Sequence, residues 1–207
     1  MGILAFGSQK SDKIAPAIEE KLRKELGAAA PIPYQVEGEG GATTVGTVMG
    51  DIAKGLFGGQ ANILFTVVFD IAAPRHTQLR VNLDRQGVGC HLGALLYATK
   101  LSKTVKGEVA LEGPKMFGSS KFTGDADAIA KLNSKGDLLK RLGKFARTEA
   151  EIGGITVRMD RFVKVLPEEG GAQLIINTLP RPVSMGMDAM LDAKEFIDLA
   201  ALVEAAL

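Results

Sequence analysis

Cysteine is nearly missing from this 207-residue chain, Cys90 being the only one. No intrachain disulfide can form, which argues against a bridge-stabilised secreted scaffold and for a reducing compartment, so a cytoplasmic location is expected. There is no tryptophan and there are only two tyrosines. Little is left to stack on unpaired bases, which argues against nucleic acid as a partner. Two histidines and one cysteine cannot supply the ligands of a zinc site without carboxylates, so no metal is expected. Long apolar runs are lacking too. The longest, residues 61–73, is interrupted by Asn62 and Asp70 and falls well short of the ~20 residues that span a bilayer, so no transmembrane helix is expected. The opening MGILAFG carries no Lys or Arg and is shorter than a signal-peptide core, and Phe6 stands where the myristoylation pattern wants Ser or Thr, so neither signal is expected.

What is present is a globular composition, 46% hydrophobic and 24% charged, which excludes disorder and supplies a sizeable core. The net charge of +1 hides an asymmetry: residues 61–164 hold 17 Lys and Arg against 10 Asp and Glu, while residues 165–207 hold 2 against 7. A basic middle and an acidic end can attract each other or mark separate surfaces.

Periodicity places the elements. Ile14, Ile18, Leu22 and Leu26 recur every four residues between the candidate caps Ser11 and Asp12 and the stop at Gly27, which predicts an N-terminal helix with one apolar stripe. Tyr34 to Glu37 reads as a short edge strand. Residues 38–59 hold eight glycines, yet Val45, Val48, Met49, Ile52 and Leu56 keep helical spacing, so a helix is expected there. Residues 63–71 read as a well-buried strand. Leu79, Val81 and Leu83 then alternate with Gln78, Arg80, Asn82 and Asp84, which predicts a hairpin partner with one wet face and an antiparallel sheet. Leu92, Leu95 and Leu96 fit helical turns. A strand at 108–112 and an extended piece ending near Phe122 follow. Asp125 can cap a helix or αα unit broken at Gly136 and carrying Leu138, Leu139, Leu142 and Phe145. Strands near 155–159, 162–166 and 173–178 read as a meander. From Asp188 the chain ends in a helix with Phe196, Leu199, Ala200, Val203 and Leu207 on one stripe. The fold class expected is therefore α+β: mostly antiparallel sheet built from hairpins and a C-terminal meander, helices at both termini and a central helical segment. One compact domain over 1–207 is expected, with 113–119 the best place for a boundary between lobes.

Chemistry is sparse. Cys90 is the candidate nucleophile, because a helix beginning at Leu92 would lower its thiol pKa through the positive helix end. The elbow pattern fails around it, Val88 and Leu92 occupying the glycine positions. Asp125 and Asp127 form a D-x-D that reads more simply as a helix cap than as a magnesium site. GEGGATT at 38–44 has the backbone donors of an anion loop but neither the lysine of a P-loop nor the G-x-G-x-x-G order. Lys140, Arg141, Lys144 and Arg147 lie opposite an apolar stripe, a pattern suited to an anionic surface or an acidic protein, or to a solvated helix face. Met185, Met187 and Met190 suit either an adaptable contact surface or core filling. No cofactor is expected. The leading expectation is a non-catalytic intracellular domain that binds a protein partner or itself; the alternatives are an enzyme using Cys90 or the glycine loop, and a binder of anionic surfaces through the basic helix.

Overall fold

The computed structural model of the chain describes residues 5–6, 10–38, 63–86, 88–113, 119–145, 148–152, 155–159, 161–183 and 188–207, with the backbone alone for 5, 86, 148–152 and 155–159. The fold is α+β. Among the described residues there are four helices: α1 (Ser11–Leu26), α2 (Ala126–Asn133), α3 (Gly136–Gly143) and α4 (Ala193–Ala206). The strands are β1 (Ala5–Phe6), β2 (Tyr34–Glu37), β3 (Ile63–Ile71), β4 (Thr77–Gln86), β5 (Gly89–Leu101), β6 (Val109–Glu112), β7 (Lys121–Gly124), β8 (Thr148–Ile152), β9 (Ile155–Met159), β10 (Phe162–Glu168), β11 (Gly171–Thr178), β12 (Arg181–Pro182) and β13 (Ala189–Met190). Eight of them form one large antiparallel sheet in the order β2-β3-β4-β5-β11-β10-β6-β7, with β1 added on β5. No helix among the described residues is long and apolar enough to cross a membrane. The helix expected within 38–59 and the loop GEGGATT beyond Gly38 lie outside the described residues, as do Met185 and Met187.

The chain divides into two compact units. The first comprises Met1–Ala72, Gln78–Leu95 and Leu179–Lys194. Its helix α1 buries Ile14, Ala15, Ile18 and Leu22, the stripe that four-residue spacing demands. The helix starts one residue ahead of the expected caps: the Lys10 carbonyl accepts from Lys13 and Ile14 N–H, and Ser11 is buried in the first turn. It stops at Gly27, whose φ of +64° is left-handed and lets the N–H groups of Gly27 and Ala28 reach back to the Lys24 and Arg23 carbonyls. Glu25 on its last turn accepts hydrogen bonds from the N–H groups of Leu191 (2.8 Å) and Ala193 (3.4 Å). Burial pushes its carboxyl up from the usual range, against the pull of those two donors.

In the same unit β2 pairs with β3 at the sheet edge, Tyr34 opposite Phe69 and Glu37 opposite Thr66. The face of β4 expected to be wet is not: Arg80 and Asn82 are each only 6% exposed. They are tolerated because they are paired, Arg80 to the Glu37 carboxylate and Asn82 Oδ1 to the Thr66 hydroxyl at 3.0 Å. A second expectation also fails here. Leu92, Leu95 and Leu96 belong to the strand β5 rather than to a helix. Seven of the eight residues from Leu92 to Thr99 are buried, so the polar alternation that identifies a strand is missing, and burial in the sheet overrides the helical preference of Leu and Ala.

The second unit comprises Ala73–Thr77, Leu96–Thr178 and Glu195–Leu207. Residues 155–178 form parts of two hairpins: β9 pairs back on β8 in a sheet of its own, and β10 pairs with β11 in the large sheet. β10 also pairs with β6, and β6 with β7. Val109, Leu111, Phe122, Leu132, Leu142, Val163, Val165, Ile175, Leu199 and Val203 are among its buried residues. Asp125 caps α2 as expected, its side chain accepting from the N–H groups of Asp127 and Ala128. The C-terminal helix begins at Ala193, five residues later than expected, because Ala189 and Met190 extend to pair with Arg181 and Pro182.

Candidate functional site

Of the residues singled out from the sequence, those that are described have definite places. Cys90 lies in β5 opposite Phe6 of β1 and is 1% exposed. With no helix following it, the positive helix end that would have activated the thiol is not there. Burial, and secondarily the Asp84 carboxylate, pushes the thiol up from its ordinary value. His91, its neighbour in the strand, has Nε2 3.8 Å from Asp84 Oδ2, and Gly93 leaves room for that carboxylate, since a Cβ there would lie 2.4 Å from Asp84 Oδ2. We expect a maleimide reagent to label the folded protein at neutral pH at least about a hundredfold more slowly than the denatured chain, because the thiolate is disfavoured and covered. Labelling at the denatured rate, followed by mass, would show that the thiol is accessible.

The D-x-D is already occupied by protein groups. Besides capping α2, Asp125 accepts from the N–H of Lys106 and of Gly107 (3.2 Å), and these backbone donors, Lys106 first, hold its carboxyl below the usual range. Asp127 pairs with Lys106 Nζ. Among the described residues no three His, Cys, Asp or Glu side chains gather in a way that could hold a metal ion.

The basic segment is different, because here the fold of the second unit builds something around it. Leu138 and Leu142 anchor α3 in the core, 4% and 0% exposed. Their spacing turns Gly136, Lys140 and Lys144 onto another face of the helix, with Asp137 and Arg141 beside them. Phe145, just beyond the helix, packs against Phe196 of α4 with ring centroids 4.9 Å apart, and Phe196 in turn stacks on Tyr97 at 4.0 Å. These rings tie the end of α3 to the first turns of α4. Glu195, also on α4, reinforces the junction: its Oε1 is 2.9 Å from Lys144 Nζ and 3.8 Å from Arg141 Nε. Lys144 Nζ also sits 4.9 Å above the Phe145 ring.

Between α3 and the last two turns of α4 this leaves a groove of about 1050 Å³. Leu138, Leu202, Ala205 and Ala206 make its apolar part, and Lys135, Lys140, Arg141 and Lys144 its cationic part, with Asp137 the one carboxylate in the lining. Leu202 is 41% exposed although it is a large aliphatic side chain. Two of the four cations, Arg141 and Lys144, already share Glu195; Lys135 and Lys140 make no ion pair among the described residues. The groove thus combines uncovered apolar surface with positive charge that is only partly compensated.

Of the four basic residues predicted together, the structure brings Lys140, Arg141 and Lys144 to this groove, and Arg147 lies outside the described residues. Lys135, Leu202, Ala205 and Ala206 were not foreseen. A signal for the last three was present: the final turns of α4, AALVEAAL, offer only Glu204 as a polar residue, too few for a helix with one face in water. Compared with known proteins, the chain matches no family model, no curated protein and no solved structure.

Proposed function

We propose that the protein is a binding module whose ligand is anionic and carries an apolar surface, taken up in the groove between α3 and the end of α4. One observation carries this reading: Lys135 and Lys140, without ion-pair partners among the described residues, stand beside the exposed Leu202 and the alanines of α4 in the same concavity. A solvated helix face would explain the lysines but not the apolar surface next to them, whose exposure to water is unfavourable by roughly 25 cal/mol per Å². A ligand satisfying both must be negatively charged and partly apolar. The reading joins two of the expectations drawn from composition, a non-catalytic binding domain and a cationic helix face. It leaves the cysteine enzyme without support, since the thiol has no activating helix end. We also place the protein in the cytoplasm, because its single cysteine suits a reducing compartment.

The test uses an anionic naphthalene sulfonate dye, which brings both required features, titrated by fluorescence into the folded protein. Saturable binding is expected, weakened about fivefold by Lys140→Glu or Lys135→Glu, since reversing an exposed charge changes its interaction by about 1 kcal/mol, and weakened again by high salt. Dye binding indifferent to both substitutions would overturn the reading.

A further inference from the structure

We propose that the natural occupant of the groove is an acidic amphipathic helix of a partner protein, an inference that rests on reading the groove as the binding site. The dimensions favour a helix over a small molecule. At about 1050 Å³ the groove lies at the upper end of small-molecule pockets, and Leu202, 41% exposed, shows that its apolar part is shallow rather than enclosed. A small ligand would leave much of its surface in water, whereas a helix lays one stripe into a groove and keeps the other wet.

The wall that α3 supplies is eight residues long, about 12 Å at 1.5 Å per residue, or two turns of an opposing helix. Ala205 and Ala206 present no bulk, which allows a helix axis to approach closely beside Leu202. Lys135 and Lys140 then face the sides of the guest, where glutamates or aspartates flanking its apolar stripe would meet them. The two cations not released for this purpose, Arg141 and Lys144, stay with Glu195, so the net attraction comes from the α3 start and middle rather than from its end.

The other anionic macromolecules fit less well. A bilayer is flat and does not follow a groove, whereas a helix can lie along one. A nucleic-acid backbone would match the lysines but would leave the leucine and alanines without an apolar partner.

Fluorescence anisotropy can decide, using a labelled two-heptad peptide with leucine at i, i+4, i+7 and i+11 and glutamate elsewhere, against the intact protein. The controls are a scrambled peptide of the same composition, a peptide with lysine for glutamate, and vesicles of phosphatidylcholine with phosphatidylserine. The amphipathic acidic peptide is expected to bind about tenfold more tightly than the scrambled one, and Leu202→Glu and Lys140→Glu should each remove about tenfold of that affinity, as loss of an anchor contact does. Leu202 is exposed, so its substitution leaves the fold in place, checked by an unchanged circular dichroism spectrum and Tm. Equal binding of the ordered and scrambled peptides, or binding to vesicles without binding to peptide, overturns the inference. So does a concentration-dependent dimer abolished by Leu202→Glu, which would make a second copy of this chain the occupant. If the dye binds in the groove and the peptide preference is missing, only the partner is wrong; if neither binds, the site itself is.

Discussion

Replacing Gly124 by alanine is expected to destabilise the second unit by about 3 kcal/mol or more. Gly124 ends β7 with φ +119°, a region that side chains other than hydrogen rarely enter. An alanine Cβ there would lie 2.0 Å from the Glu108 carbonyl oxygen and 3.0 Å from its carbon. Both are backbone atoms and cannot swing aside. They are also held in place, because Val109 pairs with Gly124 in the β6–β7 ladder and the same Glu108 oxygen accepts from the Asp125 N–H at 3.2 Å. Relief would therefore disturb both the ladder and the residue that caps α2, about two turns before the α2–α3 connection that leads into the groove. Urea unfolding, with Thr123→Ala as the control for altering β7 without backbone strain, measures the cost. A midpoint for the Gly124 variant equal to that of the control would show that the strand end relaxes freely.

The second large effect is a pH dependence located in the last turn of α4. Glu204 pairs with the Arg75 guanidinium and its Oε1 accepts from the Ser102 N–H, while Arg75 also donates to the Lys100 carbonyl at 3.3 Å. The Arg75 hydrogen bond, followed by that of Ser102, holds the Glu204 carboxyl at about 2. In the unfolded chain it returns to the ordinary glutamate range, near 4.5. The sign follows: a carboxyl whose folded pKa is depressed contributes stability that is fully present above its unfolded pKa and is lost as pH falls from about 4.5 towards about 2. Its side chain keeps 18% of its exposure, so after allowance for solvent screening the contribution is about 2 kcal/mol rather than the full value of the shift. Glu204→Gln should lower stability at pH 7 by about that amount and flatten the stability profile between pH 4.5 and 2, because the titrating group has been removed. Unfolding free energies of both proteins at pH 7 and pH 3 test this; parallel profiles would mean that the acid sensitivity arises elsewhere.

These two sites bear on the groove in different ways. The Gly124 turn sets the course of the chain into α2 and α3, which carry the lysines. The Arg75–Glu204 pair holds the last turns of α4, which carry Leu202, Ala205 and Ala206, against the end of β5 at Ser102. A groove whose two walls come from sequence positions some sixty residues apart keeps its shape only while both connections hold. Acid that neutralises Glu204 is therefore expected to loosen the apolar wall before the cationic one.

Features whose cause is local were legible in the residues alone. The four-residue spacing of Ile14, Ile18 and Leu22, the glycine able to take a left-handed conformation at 27, the alternation around Leu79, Val81 and Leu83, and an aspartate placed to accept N–H groups at 125 each need only a few neighbouring residues to act. Their elements formed where the pattern put them. The basic face of α3 was equally legible, because helical spacing alone separates Lys140 and Lys144 from Leu138 and Leu142.

What those faces meet depends on packing between segments far apart in the chain. Whether the apolar run after Leu92 is helix or strand depends on being covered on both sides, which no local pattern records, and the same burial takes Cys90 out of reach of solvent. The polar face of β4 looked wet because Arg80 and Asn82 are polar; Glu37 and Thr66, brought alongside by strand pairing, let them be buried. The lysines of α3 became part of a groove only because α4 runs beside them, its first turn held to the end of α3 through Phe145, Phe196 and Glu195. Periodicity acts over a turn or a strand, whereas a binding surface is made where distant segments are packed together, and the free energy that selects that packing belongs to the whole core rather than to any one segment.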